Sequence, residues 1–211
     1  MTLICAPERI RAVLNPVHPI DEEAVTRLHA YTRILDRWAA RQRLVGWRRA
    51  EVLLHDGIRD AWSAIPLLAG SRAIVDVGSG AGLPGLIFAA ALPERAIHLV
   101  EARRKRVSFL REAAKVMGVS GVVVHHGRTD DLIASGEVAP ADALVTSRAF
   151  AAPIEVLQMA TEWDAAECLV TSADEKIPSD DPVGWNSHRR MESRPHSGSF
   201  HVLYQRAAPD S

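Results

Sequence analysis

The sequence predicts an α/β fold, a mostly parallel and doubly wound sheet preceded by a helical extension. Three observations predict it. From residue 73 onward, short β-branched runs alternate with segments of helical length, the pattern of parallel strands joined by crossover helices. The first of these runs ends in glycines and is followed at once by an apolar helical stretch, the joint at which open α/β sheets bind ligands. The chain has 211 residues, 47% hydrophobic and 24% charged, which is enough for one sizeable core and too apolar for disorder.

In chain order, residues 1–20 read as a loose N-terminus closed by Pro16 and Pro19. Asp21 is a suitable cap for a helix reaching about residue 43. Val25, Leu28, Tyr31, Leu35 and Trp38 give that helix one apolar face, and Arg33, Arg37 and Arg41 give it a basic stripe at steps of four. A second helix is expected over 48–68, with Val52, Ile58, Trp62 and Ile65 turned inward. Residues 21–69 therefore read as a helical extension packed on a core of 70–211, one compact domain in all.

Within the core, strands are expected at Ala73–Val77, Ala96–Glu101, 122–125, 141–146, 167–171 and 200–205. Helices are expected at 83–92, 103–117 and 153–163. The Asp-, Pro- and Ser-rich stretch 174–186 reads as a loop. No internal repeat or low-complexity tract interrupts the series.

The formal net charge of -1 provides no global field toward a polyanion, so such a partner needs a local basic patch. Two patches are available. Eight arginines stand against four acids between Arg27 and Asp60, and Arg103-Arg104-Lys105-Arg106 with Arg111 opens the helix after the second core strand. Both suit phosphate contact and both equally suit a solvated helix face. Cys5 and Cys168 lie far apart and the histidines, His125 and His126 included, are scattered, so neither a disulfide nor a metal site is expected. No run approaches the roughly 20 apolar residues of a membrane span, and the N-terminus lacks a signal-peptide layout. The expectation is a cytoplasmic monomer with no membrane partner.

The strongest local signal is Asp76-Val77-Gly78-Ser79-Gly80-Ala81-Gly82-Leu83-Pro84-Gly85. Glycines there let the backbone turn sharply and approach a ligand without a Cβ in the way. Glu101 ends the next strand, where an acid can accept hydrogen bonds from a ribose diol. Two cofactor classes compete. Gly80 to Gly85 matches the dinucleotide fingerprint, with Glu101 near the expected offset of about 20 residues. Against it, Gly78 and Ser79 separate the strand from that fingerprint. An acid two residues before three alternating glycines (Asp76, then Gly78, Gly80 and Gly82) suits S-adenosyl-L-methionine instead, whose amino group is positive and which carries no diphosphate. By that analogy the fold is a Rossmann-like class I methyltransferase.

Further blocks extend the pattern: Leu99-Val100-Glu101, Arg104-Lys105-Arg106-Val107-Ser108-Phe109-Leu110, Gly127-Arg128-Thr129-Asp130-Asp131 and Thr146-Ser147-Arg148-Ala149-Phe150-Ala151. With the Leu-Pro-Gly ending of the glycine loop, their order and spacing resemble the bacterial glucose-inhibited division protein B family, the guanine-N7 methyltransferases of small-subunit 16S ribosomal RNA. The resemblance covers roughly residues 70–155. It implies a cofactor site in which Gly78 and Leu83 line the methionine and adenosine side, Glu101 the ribose, and Thr129 with Asp130 the adenine edge. It places Arg148 at the mouth shared by cofactor and substrate, and Lys105 and Arg106 toward RNA or bracing the site. The chain resembles a diverged member. The family's Trp-Asn…Asn-Leu-Thr ending is here Trp38-Ala39…Arg43-Leu44-Val45, and its His-Ile-Leu-Asp-Ser is Gly57-Ile58-Arg59-Asp60-Ala61. A Lys-Gly pair expected after the fifth strand is absent near Ser172-Ala173. The implied partner is ribosomal RNA or the small-subunit particle, and Arg37 and Arg41 join Lys105 and Arg106 as candidate RNA contacts.

The chemistry narrows by absences. Amino-group methylation of adenine or glutamine usually employs an Asn-Pro-Pro-Tyr-like motif, and this chain has Ser147-Arg148-Ala149-Phe150. Cytosine C5 methylation needs a cysteine nucleophile, and Cys168 falls inside a strand. A ring nitrogen such as guanine N7 already offers a lone pair, so placement and water exclusion suffice, and orientation of that kind supplies roughly 7–11 kcal/mol in favourable cases. Arg148 is the residue expected to position the acceptor, since its guanidinium can grip guanine O6 and N7. An ion pair with Asp76 or Glu101 is the structural alternative for it. Of Asp130 and Asp131, one is expected at the cofactor and the other in solvent. Three other functions stay open: a methyltransferase acting on a small molecule or protein, an NAD(P)-dependent oxidoreductase, and a cofactor-binding protein without activity.

Overall fold

The computed structural model describes residues 2–42, 44–70, 73–141, 143–148, 151–173, 177, 182, 184–193 and 199–207. Among these residues seven strands form one sheet: β1 (Ala73–Val77), β2 (Ala96–Glu101), β3 (Val122–His126), β4 (Ala143–Ser147), β5 (Glu167–Ala173), β6 (Trp185–Glu192) and β7 (Ser199–Arg206). Their order is β3-β2-β1-β4-β5-β7-β6. The first five pair in parallel and β7 runs antiparallel between β5 and β6. After β1 the chain moves to one side for β2 and β3, then crosses back to β4 on the other. The carboxyl ends of β1, β2 and β4 therefore enclose the topological switch point, where α/β sheets place ligands.

Strand side chains alternate between two cores. Ile74, Leu99, Leu144 and Leu169 join the larger core, beneath the N-terminal helices, α5 (Gly85–Ala91) and α6 (Arg104–Met117). Val75, Val77, Val145 and Val170 join the smaller core, with Leu132 of α7 (Thr129–Ala134) and Val156 and Leu157 of α8 (Pro153–Glu162). Cys168 is fully buried there, as its strand position implies, and burial pushes its thiol pKa up. His125 stacks on His98 at 5.1 Å and bonds Glu137 at 3.0 Å.

The N-terminal segment departs from expectation. α1 (Pro7–Leu14) is a helix with Pro at its first turn, and Leu3, Cys5, Ile10, Val13 and Leu14 are buried in the larger core. Burying a large aliphatic side chain contributes about 1.5–3 kcal/mol, so the four inward aliphatic residues Leu3, Ile10, Val13 and Leu14 outweigh the loop signals of Pro16 and Pro19. The division drawn at residue 20 does not divide the core. Residue 70 marks a change of secondary structure, since one core runs from Leu3 to Leu203.

α2 (Glu22–Ala39) is capped as expected, Asp21 accepting from the Ala24 amide at 2.6 Å. It packs on α6: Trp38 donates to Glu112 at 2.8 Å and sits edge-on to Phe109. The expected helix over 48–68 is broken into α3 (Ala50–Val52), a π-helical stretch (Leu53–Arg59), α4 (Asp60–Ser63) and a 3-10 turn (Ile65–Leu68). The π stretch has no sequence signature, and such insertions are often found at functional sites.

The stretch 174–186 reads as loop in the sequence, yet β6 begins at Trp185. Among its described side chains β6 buries only Trp185, pairs on one side only, and bulges between Ser187 and Arg189. A polar edge strand of this kind carries no apolar alternation to be read. Residues 174–176, 178–181 and 183 of that expected loop lie outside the described residues, as do Ala149 and Phe150. Among the described residues no helix is long and apolar enough to cross a membrane.

Candidate active site

At the switch point, the glycine loop is held by the next strand. The Gly78 and Ser79 amides both donate to the Val100 carbonyl at 3.0 Å, and the Gly80 amide donates to Glu101 Oε2 at 3.1 Å. Gly78, Gly80 and Gly82 all have positive φ (69°, 59° and 83°), which explains the alternating glycines of the motif. From the other side, the fully buried Tyr31 of α2 donates its hydroxyl to the Ala81 carbonyl at 2.9 Å. The helical extension thus braces the loop directly.

The loop forms one wall of a cavity of about 720 Å³, open to solvent. Of the nine residues expected at the cofactor, Gly78, Gly80, Leu83, Glu101, Thr129, Asp130 and Arg148 line it. Asp76 and Gly82 do not. Gly82 turns inward against Leu86, whose Cδ1 would lie 2.4 Å from any added Cβ. Asp76 sits behind the loop with no exposure, one carboxylate oxygen accepting from the Gly85 amide at 3.1 Å and the other without a hydrogen-bond partner among the described residues.

Glu101 is 5% exposed and presents the acidic wall of the cavity. Each of its oxygens already accepts one backbone amide, Gly80 on Oε2 and Arg103 on Oε1 (2.8 Å), with Arg106 at 3.5 Å from Oε2. A carboxylate oxygen accepts two hydrogen bonds, so one lone pair remains on each for a ligand diol. Arg106 consequently belongs to the cavity rim. Lys105, one residue earlier on α6, is exposed and outside the lining.

Arg148 follows β4 and pairs with neither Asp76 nor Glu101, the two acids expected as its structural partners. Its Nη2 lies 3.0 Å from Asp60 Oδ2 and bonds the Asp56 carbonyl, while Nη1 donates to the Gly57 carbonyl at 3.2 Å. These carbonyls belong to the π-helical stretch, so the irregular helix supplies the acceptors that fix the guanidinium. The group also lies 5.6 Å from the Trp47 ring centroid, within cation–π range. Behind Asp60, the buried His201 ring bonds the Asp60 carbonyl and Ser63 at 2.9 Å and Thr171 at 2.7 Å. Burial lowers the His201 pKa, against the opposing pull of the Asp60 charge. Arg148 also borders a second cavity of about 900 Å³, lined by Ser147, Glu155, Thr171 and Ser199 at the carboxyl ends of β4 and β5 and the start of α8.

The family model described as rRNA small subunit methyltransferase G matches residues 24–169. The chain belongs to that family. Its match runs from α2 into β5, so it takes in both the bracing helix and the whole cavity. Among curated relatives, the Ribosomal RNA small subunit methyltransferase G of Neisseria gonorrhoeae is 38% identical over 145 residues, 68% of each chain. That of Rhodospirillum rubrum is 38% identical over 147 residues, 69% of each chain. The fold is shared more widely: a MtNAS variant solved in complex with S-adenosylmethionine aligns with a TM-score of 0.57 at 14% identity, covering 96% of this chain and 84% of that one.

Three residues before Asp60, where the resemblance implies a histidine, this chain has Gly57. Any Cβ at Gly57 would lie 3.2 Å from the Trp47 ring, so Trp47 occupies the space above that turn. Trp47, with Leu44, Val45 and Gly46, also lines the 720 Å³ cavity, as do Arg103, Arg128 and Met159. Sequence reasoning does not single out Trp47 for this site, and it marks Asp60 only through the Gly57-Ile58-Arg59-Asp60-Ala61 segment, without its pairing to Arg148. The one usable signal is an isolated tryptophan in an arginine-rich stretch.

Burial pushes the Asp76 carboxyl up to about 7 from an ordinary 3.8, against the pull of the Gly85 amide, and the charge of Glu101 adds to the rise. Between those two values the folded protein holds a proton that the unfolded chain has released. Stability from this group therefore falls as pH rises from about 4 to about 7, and is level above. Asp76→Asn removes that dependence. Its stability relative to the parent is expected to improve between pH 5 and pH 8, measured as the difference in urea midpoints. A difference that does not change with pH contradicts the assignment.

Proposed function

We propose that the protein transfers a methyl group from S-adenosyl-L-methionine to N7 of a guanine in small-subunit ribosomal RNA. The observation that carries the cofactor half is Glu101, a buried carboxylate on the cavity wall with one free lone pair on each oxygen. That is the requirement of a ribose diol. Thr129 and Asp130 hold the adenine edge, and Gly78 and Leu83 the rest of the nucleoside and the methionine. Asp76, buried behind the loop against the Gly85 amide, supports the loop and is not assigned a contact to the cofactor. Bound there, the cofactor supplies an electrophilic methyl on a sulfonium.

The chain's own part is placement. Arg148, fixed by Asp60 and the π-helical carbonyls, stands between the two cavities and presents its guanidinium to the acceptor edge. The second cavity, at the ends of β4 and β5, receives the base. Guanine N7 carries no proton, so no general base is assigned. Arg37, Arg41, Lys105 and Arg106 are the proposed RNA contacts; of these, Arg37 is 3.6 Å from Glu112 and Arg106 is 3.5 Å from Glu101.

Base-resolved mapping of ribosomal RNA from a deletion strain tests this reading. Loss of 7-methylguanine at one small-subunit position is expected. Unchanged RNA, with labelled methyl found instead on a protein or small molecule, would replace it by the second reading, which the altered residues Gly57, Arg43 and Val45 favour.

A further inference from the structure

Beside the cofactor cavity lies a smaller hollow of about 440 Å³, whose lining includes Leu3, Asp36, Arg41, Val45, Trp47 and Arg48. Val45 and Trp47 line both hollows, so the two share a wall. The smaller one is built for an anion with a flat ring. Arg41 and Arg48 are exposed, and among the described residues neither makes an ion pair. Other arginines of this layer do: Arg9 with Glu51, Arg27 with Glu23 and Arg37 with Glu112. The lining's acid, Asp36, is already engaged by the Leu3 amide at 2.6 Å. Trp47 is half-buried, its ring edge resting over Gly57 and the Arg148 guanidinium near its centroid. The ring is therefore held still while part of it remains open.

We propose that this hollow takes one unpaired nucleotide of the RNA, adjacent to the nucleotide being methylated. Its base lies against Trp47 and its phosphates against Arg41 and Arg48. The inference rests on the RNA reading above and deepens it by adding a second nucleotide pocket. A hollow of this size accepts a single splayed base, and RNA is read chiefly through unpaired bases stacked on aromatic side chains. The shared wall means that seating this nucleotide aligns its neighbour with Arg148.

The test uses small-subunit particles from a strain lacking the protein, S-adenosylmethionine at saturation, and the full-length chain. Arg41→Ala with Arg48→Ala is expected to raise KM for the particle about tenfold. It should also flatten the salt dependence of log(kcat/KM) by about 1.4, at about 0.7 for each single-strand phosphate that the variant no longer neutralises. Trp47→Ala should raise KM similarly, and Trp47→Phe, which keeps an aromatic face, should recover most of it. S-adenosylhomocysteine affinity of the double arginine variant reports that its fold is kept. Unchanged KM and salt slope in that variant, with the parent active, would overturn the pocket while leaving the RNA reading in place. No transfer to the particle by the parent protein would overturn the RNA reading itself, and the pocket with it.

Discussion

Replacing Glu101 with glutamine is expected to weaken S-adenosylmethionine and S-adenosylhomocysteine binding by roughly 100-fold, since a hydrogen bond to a charged group contributes about 1.5–3 kcal/mol. Glutamine fills nearly the same volume, so the loss is electronic. The carboxylate now satisfies the Gly80 and Arg103 amides and keeps a lone pair on each oxygen. An amide has one accepting oxygen, so it can serve one of those backbone donors and at most one hydroxyl of a diol, while its NH2 group turns a donor toward the other backbone amide. Arg106, 3.5 Å away, loses its counter-charge as well. Calorimetry reads the affinity directly, and an affinity within threefold of the parent would show that Glu101 does not hold the ribose.

Arg148→Ala has the second large effect, and it divides into two parts. Its removal leaves Asp60, 4% exposed, without the guanidinium 3.0 Å away, and takes a donor from the Asp56 and Gly57 carbonyls. Breaking a buried pair from one side costs about 3 kcal/mol or more, which in a chain of this size lowers Tm by roughly 6–12 °C. Adding Asp60→Ala removes the carboxylate that has lost the guanidinium and should recover part of that Tm. Turnover should fall at least 100-fold in the single variant and stay low in the double. Recovery of turnover along with stability would mean that Arg148 acts only through the fold.

The Arg148 surroundings show where sequence reading succeeds and where it stops. The central strands are legible because β-branched runs such as Ala73–Val77 are buried on both faces and need no partner information. The cavity is legible because its glycines each answer a local backbone demand: Gly80 and Gly82 turn at positive φ. What the glycines cannot tell is which side of the loop Asp76 occupies. Its side chain points back to the Gly85 amide, and the acid that faces the cavity beside the loop is Glu101, which comes from the neighbouring strand. Arg148 stands out in the sequence, but its partners lie about 90 residues away on a π-helical turn, and neither that long-range pairing nor the turn leaves a periodic trace. α1 is hidden for a different reason. Its apolar residues Ile10, Val13 and Leu14 do recur at helical spacing, and the prolines beside them outweigh that signal. β6 offers no pattern at all, since an edge strand with exposed polar faces resembles a loop.

The central claim is that the cavity bounded by the glycine loop and Glu101 is an S-adenosylmethionine site. The most direct test is calorimetric titration of the purified protein with S-adenosylmethionine, S-adenosylhomocysteine and the oxidised and reduced nicotinamide dinucleotides. The account predicts saturable one-to-one binding of the two adenosyl compounds and no heat from either dinucleotide. Binding of a dinucleotide, with no response to the adenosyl compounds, would contradict it.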